Sequence, residues 1–380
     1  MMNHINELLN ETLVDEITLK NDAIKNNIEQ QGVILFGSGN LGRKIASYFK
    51  SKSYKIECFV DNNDEKNNII IDDTIVYSPK TAFEKFGTQN FTWVVTIWSP
   101  GHSFKKTFEQ LNQLGVQNII PVNNIFQIFS KDLLPYYHFQ VPEYYHEAKA
   151  KINEAYSCLI DDESRVQYYK QLKARVGYSF NEIPEATTYN QYFPEDIIQL
   201  SEPEIFLDCG AFTGDTLNDY LKYAKVPFKK YICLEPDPQN LIALNNNIIS
   251  KSLSNINVIE IAVGNENAVL KFDATGGGGA GLCDTGSINV NCVRIDDFFK
   301  EEITFIKFDI EGAELSALKG AYNTIQKYKP KLAVCIYHLP NDLWEIILYL
   351  KEQFPFYDFS VRTHQYDGLD FVLYAIPNSK

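Results

Sequence analysis

Short apolar runs alternate with helix-like stretches along this chain, and most of the runs end on a glycine or a carboxylate. That alternation constrains the fold more than any other feature, because it implies parallel strands joined by helical crossovers. The first series opens with Val33-Ile34-Leu35-Phe36, then Tyr54–Val60, Trp93–Ile97 and Asn118–Val122. The second opens with Glu204–Asp208, followed by Lys230–Glu235, Val258–Val263, Phe305–Asp309 and Leu332–Tyr337. At its end, Phe356–Arg362 and Phe371–Ile376 read as two strands joined by a polar turn around Asp367-Gly368. The expected class is α/β, with two doubly wound Rossmann-like domains and an antiparallel hairpin closing the second. Residues 1–30 form a helical leader, 31–125 the first domain and 201–380 the second. Between them, residues 126–200 are Tyr-rich and punctuated by Pro135, Pro142, Pro184 and Pro194, and read as a helical connector packed on both neighbours.

Several function classes are excluded by composition. A formal net charge of −14 disfavours unaided binding to nucleic acid or anionic lipid. Seven cysteines without a C-x-x-C pair make neither a disulfide framework nor a zinc site. The opening residues show no signal peptide, and no apolar run approaches the roughly 20 residues of a membrane helix, so a soluble cytoplasmic protein is expected.

In doubly wound sheets, ligands sit outside the carboxyl ends of the strands. The first strand of the second series runs into Asp208-Cys209-Gly210-Ala211-Phe212-Thr213-Gly214-Asp215-Thr216. Gly210 and Gly214 let the backbone turn sharply and approach a ligand, or serve only as tight-packing turns. The second strand ends in Glu235-Pro236-Asp237-Pro238, where a carboxylate can accept both hydroxyl protons of a ribose. A nucleoside-type ligand fits the pair. The fourth ends in Asp309-Ile310-Glu311-Gly312-Ala313-Glu314, with Asp309 aimed into the crevice and Glu311 and Glu314 sharing a face at a helix start. The fifth places His338 at the same rim, and Arg362-Thr363-His364 belong near it.

In this order, Asp208–Thr216, Glu235–Pro238 and Ile306–Glu314 resemble the FkbM family of S-adenosylmethionine-dependent methyltransferases, over about residues 190–377 including Tyr192-Phe193-Pro194. The resemblance implies a class I methyltransferase fold and O-methylation, often of sugars or other polyhydroxylated metabolites. It places Asp208, Gly210 and Gly214 at the methionine end of the cofactor and Glu235 on its ribose. Ala211, Asp215, Asp237 and Asp309 complete the expected cofactor set. Ala211 stands where many methyltransferases carry glycine.

A sugar hydroxyl is a poor nucleophile until its proton is removed, so positioning and a base are required. The catalytic candidates are Asp309, His338 and Glu311. An ordinary imidazole is mostly neutral near pH 7.5, which suits His338 as base and Asp309 as its orienter. A divalent ion on Asp309 and His338 is the other route, but two ligands are too few to claim a metal. The run Gly276–Gly281 lacks a phosphate-loop ending and reads as a mobile loop near the acceptor.

The first domain carries Gly37-Ser38-Gly39-Asn40-Leu41-Gly42 between a strand and a helix, with Asp61 following the next strand. Gly37, Gly39, Gly42 and Asp61 fit a dinucleotide fingerprint. Residues 30–125 also resemble small Rossmann-like modules attached to bacterial glycan-modifying enzymes, which implies a nucleotide or nucleotide sugar there, or a turn kept only for packing. The leading expectation is methyl transfer to a hydroxyl of a sugar, nucleotide-activated sugar or glycan precursor. An NAD-dependent oxidoreductase working through the first domain is the alternative, and a binding protein without activity is a third. Acceptor identity and self-association stay open.

Overall fold

The computed structural model describes residues 2–87, 89–177, 183, 190–251, 253–274, 281–282 and 286–378. Gly276–Ala280, expected to be a mobile loop, lie outside the described residues, as does Pro184. The chain divides into two compact units. The first comprises Met1–Asn153, Gln167–Glu185 and Gln365–Leu369, and the second Glu154–Val166, Ala186–His364 and Asp370–Lys380. Residues 126–200 therefore make no body of their own but are shared between the two.

The first unit is built on strands β1 (Val33–Phe36), β2 (Ile56–Val60), β3 (Ile70–Ile71), β4 (Thr74–Tyr77), β5 (Thr92–Val95) and β6 (Ile119–Pro121). They lie in the order β3-β4-β2-β1-β5-β6, parallel except for the β3–β4 pair. Every residue of β1 and β5 is buried, which is why these strands read as continuous rather than alternating apolar runs. The chain reverses its direction of sheet growth between β1 and β5, and the glycine-rich turn Gly37–Gly42 follows β1 at that point. The leader forms helices Met2–Leu8 and Glu11–Gln31, the second capped by the Asn10 side chain accepting from Leu13 N at 2.7 Å.

The second unit holds β7 (Ile205–Cys209), β8 (Lys230–Leu234), β9 (Ile256–Ile259), β10 (Ala262–Val263), β11 (Ala268–Asp273), β12 (Gly281–Leu282), β13 (Ile288–Val293), β14 (Phe305–Phe308), β15 (Lys331–Cys335), β16 (Tyr357–Thr363) and β17 (Phe371–Pro377). Seven of them form one sheet in the order β16-β17-β15-β14-β7-β8-β9. β9, β8, β7, β14 and β15 run parallel, and β17 is antiparallel to both β15 and β16. The sheet thus carries the expected hairpin at its edge, and its switch point lies between β7 and β14.

Val258–Val263 is not one strand, as expected from sequence, but two. Ile261 N donates back to Ile259 O at 3.1 Å, a tight turn that ends β9 and sends β10 into a separate four-stranded sheet, β10-β13-β11-β12. Of that smaller sheet the sequence shows only Val269–Phe272, a hairpin strand ahead of the glycine run, since the other strands are short and half-exposed.

Side-chain alternation positions the switch point. Phe305, Phe206 and Tyr231 are register neighbours across β14, β7 and β8, and their rings stack with centroids 4.7 Å apart on either side of Phe206. Two residues further along the same face, Lys307 and Asp208 are again direct neighbours. The aromatic ladder forms a dry floor beneath a buried ion pair.

Candidate active site

Asp208 and Lys307 are shut off from solvent and pair at 3.1 Å. Asp208 also accepts from the Tyr231 hydroxyl at 2.8 Å, and Lys307 donates to the Gly210 carbonyl at 2.5 Å. Burial carries the Asp208 carboxyl up to about 6, with Lys307 and Tyr231 pulling against it. Burial also works against the Lys307 charge, but Asp208 and Asp309 outweigh it and hold the amine protonated. Both carboxylate oxygens of Asp208 face protein partners, so its geometry is that of a brace between the ends of β7 and β14. Lys307 went unnoticed in the sequence, although a lysine in the middle of Phe305-Ile306-Lys307-Phe308 was a signal of a buried partner.

Beyond β7 the chain makes the turn expected of it. Gly210 has φ +81°, and a Cβ there would stand 1.9 Å from the Asp309 carbonyl, so the two strand ends touch backbone to backbone. Gly214, at φ +86°, precedes the helix Asp215–Tyr223 and packs on Asn247 and Leu244. Ala211 is buried and Asp215 is exposed on the first turn of that helix.

Glu235, at the end of β8, is buried and accepts from Phe212 N and Asp237 N at 2.8 Å each, one per oxygen. Burial raises its carboxyl, and the two backbone N–H groups oppose the rise. Asn240 Nδ2 also reaches Oε1, at 3.5 Å, so of the roughly four acceptor positions of a carboxylate the open one for a hydroxyl donor is on Oε2. Asp237 instead caps the helix Pro238–Ser250 through Gln239 N and Asn240 N.

The ends of β14 and β15 converge on His338. Its Nδ1 is 2.9 Å from Glu314 Oε1, while its Nε2 lies 3.4 Å from Asp309 Oδ1 and 3.6 Å from Glu311 Oε1. Tyr192 donates to Asp309 Oδ2 at 2.7 Å, and Glu314 Oε1 also accepts from Ile310 N at 2.8 Å. Asp370, beside the same cluster and paired with Tyr337, was not foreseen, because it sits on the far hairpin. Burial pushes the Asp370 carboxyl up to about 7 and that of Glu311 to about 8. For Asp309 burial is outweighed by Lys307 and His338, so it stays below its ordinary value. The Tyr337 ring covers the imidazole with centroids 4.1 Å apart.

Three sequence expectations change here. His338 is not an ordinary imidazole: burial disfavours its charge, but Glu314, Glu311 and Asp309 together raise it to about 10. A ring that keeps its proton at neutral pH cannot take another, so the base assigned to His338 is withdrawn. Glu311 and Glu314 do not share a helical face, because the helix begins only at Glu314. Glu311 lies in the preceding turn with φ +54°, followed by Gly312 at +97°. Arg362 and His364 are not at the rim. Arg362 is buried against Asp196 at 2.6 Å and Asp161 at 3.2 Å, and His364 Nε2 meets the Tyr374 hydroxyl at 2.6 Å.

In the first unit, Gly39 is the N-cap of the helix Asn40–Ser51, with no side chain capping it and open space where its Cβ would be. Gly42 packs on the Gly37 carbonyl, and Gly37 itself has φ +114°. The Asp61 carboxylate is already engaged, by Ser38 Oγ at 2.5 Å and Lys66 Nζ at 2.8 Å on one oxygen and by Asn63 N at 3.0 Å on the other. Burial raises Asp61, but Lys66 and Ser38 more than compensate and hold it below the usual carboxylate range.

No helix among the described residues is long and apolar enough to cross a membrane. Residues 208–359 match the family model of the methyltransferase FkbM domain. No curated protein matches the chain. Among solved structures, a methyltransferase FkbM from Methylobacillus flagellatus is 22% identical with TM-score 0.73, covering 95% of this chain and 98% of that one, a likeness of fold. A putative methyltransferase from Streptococcus mutans in complex with SAH is 12% identical with TM-score 0.31, covering 50% of this chain and 93% of its own. Residues 208–359 are therefore a methyltransferase FkbM domain, and the chain that carries them is an S-adenosylmethionine-dependent methyltransferase.

Proposed function

We propose that the enzyme methylates a hydroxyl oxygen of a polyhydroxylated acceptor, a sugar, nucleotide-activated sugar or glycan precursor. The observation that carries this reading is the convergence of Asp309, Glu311, Glu314 and Asp370 around His338 at the strand ends next to the cofactor turn. Carboxyl groups accept hydrogen bonds from sugar hydroxyls, and a crowd of them repels an anionic acceptor group.

In this reading Glu235 holds the cofactor ribose, and Gly210 and Gly214 keep the backbone close to the cofactor. The acceptor oxygen attacks the methyl carbon in line with the sulfonium. The new O–C bond forms as the C–S bond breaks, its electron pair returning to sulfur as S-adenosylhomocysteine is made. Glu311, half-buried beside His338, takes the hydroxyl proton when ionised, a form that gains population as pH rises toward 8. Asp309, fixed by Tyr192, receives the hydroxyl, and His338 balances the carboxylate charge.

For the first unit the uncapped helix at Gly39 favours a nucleotide phosphate, with Lys66 near it. Asp61, tied to Ser38 and Lys66, would release its partners to meet a ribose. The six described cysteines are free thiols, which suits the cytoplasm.

The test incubates the full chain with S-adenosylmethionine and a panel of free sugars, nucleotide sugars, amines and carboxylic acids. Acceptor-dependent S-adenosylhomocysteine with a methyl ether on a sugar supports the reading. Product methylated only on nitrogen or on a carboxylate overturns it.

A further inference from the structure

We propose that Asp309, Glu314 and His338 bind one divalent cation of the Mn2+ class; the site stands on its own geometry, and only its use in activating a hydroxyl rests on the methyl-transfer reading. One ligand atom from each of the three residues lies within 4.8 Å of the others. Two ligands on opposite sides of an Mg2+ ion stand about 4.0–4.2 Å apart, so even the widest pair allowed by 4.8 Å needs to close by less than about 1 Å.

Unpartnered atoms are the second observation. Asp309 Oδ1, Glu314 Oε2 and His338 Nε2 are buried, and none has a hydrogen-bond partner among the described residues. Each of the three residues in the cluster thus keeps one orphaned donor or acceptor, a costly arrangement unless something occupies the space. An ion-pair network alone accounts for it poorly. Were a protonated Nε2 the only filling, it would sit within about 2.7–3.2 Å of an oxygen. Its nearest oxygens stand at 3.4 and 3.6 Å.

Charge and ligand type point the same way. Lys307 is turned toward Asp208 and the Gly210 carbonyl, and stands 4.0 Å from Asp309. A dication on the cluster would balance Asp309 and Glu314 in place of the imidazolium charge, because coordination through Nε2 releases the proton that His338 holds without the ion. Two carboxylates and one imidazole suit Mn2+, which accepts both oxygen and nitrogen ligands, better than Ca2+, which takes six to eight oxygens. Three protein ligands would leave coordination positions open for an acceptor. There the ion would hold the hydroxyl oxygen and make its proton easier to lose, with Glu311 beside it to receive that proton.

The full chain, stripped with chelator and dialysed, is titrated with Mn2+ while the free-ion electron paramagnetic resonance signal is followed. One ion per chain should bind, and Asp309→Asn and His338→Gln should each weaken it by about 10–100-fold. Circular dichroism and thermal unfolding, measured on the same samples, report that the variants are folded. Absence of Mn2+ binding to the wild-type chain, or equal binding by folded variants, overturns the site. Bound Mn2+ without acceptor methylation would leave the site standing and remove the methyl-transfer reading. Equal turnover of stripped and Mn2+-loaded protein would remove the ion's catalytic part.

Discussion

His338 and Glu314 meet at 2.9 Å with both side chains inaccessible to solvent, joining the end of β15 to the first turn of the helix after β14. Glu314 also accepts the Ile310 N–H, so one carboxylate oxygen holds both the imidazole and the turn that carries Glu311. Removing it leaves a buried imidazole and a buried amide without their acceptor. Glu314→Ala should destabilise the second unit by about 3–5 kcal/mol in urea unfolding, the cost of breaking a buried pair from one side. A loss below 1 kcal/mol would show that the pair is replaceable by water.

Glu311 is placed to receive the acceptor proton. Glu311→Gln should lower turnover by about 10²–10⁴ while cofactor affinity stays within twofold, about the usual worth of a positioned base. Unchanged kcat in a folded variant would move the proton to another group.

Glu235 joins the Phe212 and Asp237 amides to the proposed ribose position. Glu235→Gln keeps the volume but turns one oxygen into a donor facing an N–H. S-adenosylhomocysteine affinity should fall at least about tenfold, matching the loss of a charge-assisted bond of roughly 1.5–3 kcal/mol. Calorimetry giving the same affinity as wild type would take the ribose elsewhere.

Gly39 offers an unusually clean test of the first unit. A Cβ there meets nothing within 4 Å, and its φ of −79° suits any residue. Gly39→Val should leave thermal stability unchanged and abolish stabilisation by nucleotides or nucleotide sugars. If none of these ligands raises the melting temperature of the wild type, the turn serves packing alone.

Asp161 accepts from Ser164 N at 2.7 Å, from the Ser164 and Ser360 hydroxyls at 2.6 Å each, and pairs with Arg362. Burial would raise its carboxyl, but these partners prevail and hold it below the usual carboxylate range. The folded state therefore prefers the charged form. Its stabilisation is complete above the unfolded value of about 3.9 and disappears as pH falls through the lower folded value. Asp161→Asn should cost about 1–3 kcal/mol at pH 7, and the gap to wild type should begin to close only below about pH 4 and vanish as pH falls through the lower folded value. A gap independent of pH would mean that shape, not charge, is what Asp161 supplies.

Local signals were sufficient for the alternating strands, the hairpin, the turns at Gly210 and Gly37, and the carboxylates Glu235 and Asp309. Each is encoded within a few residues, because apolar runs, glycines and strand-end acids act through the backbone around them. The protonation of His338 was out of reach, since it depends on Glu311 and Glu314, more than 20 residues away in sequence, standing within 4 Å of one ring. Lys307 became a brace only when β14 paired with β7 in a register that sets it beside Asp208. Asp370 entered the cluster through the antiparallel return of β17, and Arg362 left the rim because Asp161 and Asp196 claimed it. Chain chemistry alone determined where carboxylates end strands. Which of them share a proton, a partner or an ion was decided by tertiary packing, because electrostatic energies depend on distance and burial rather than on order along the chain.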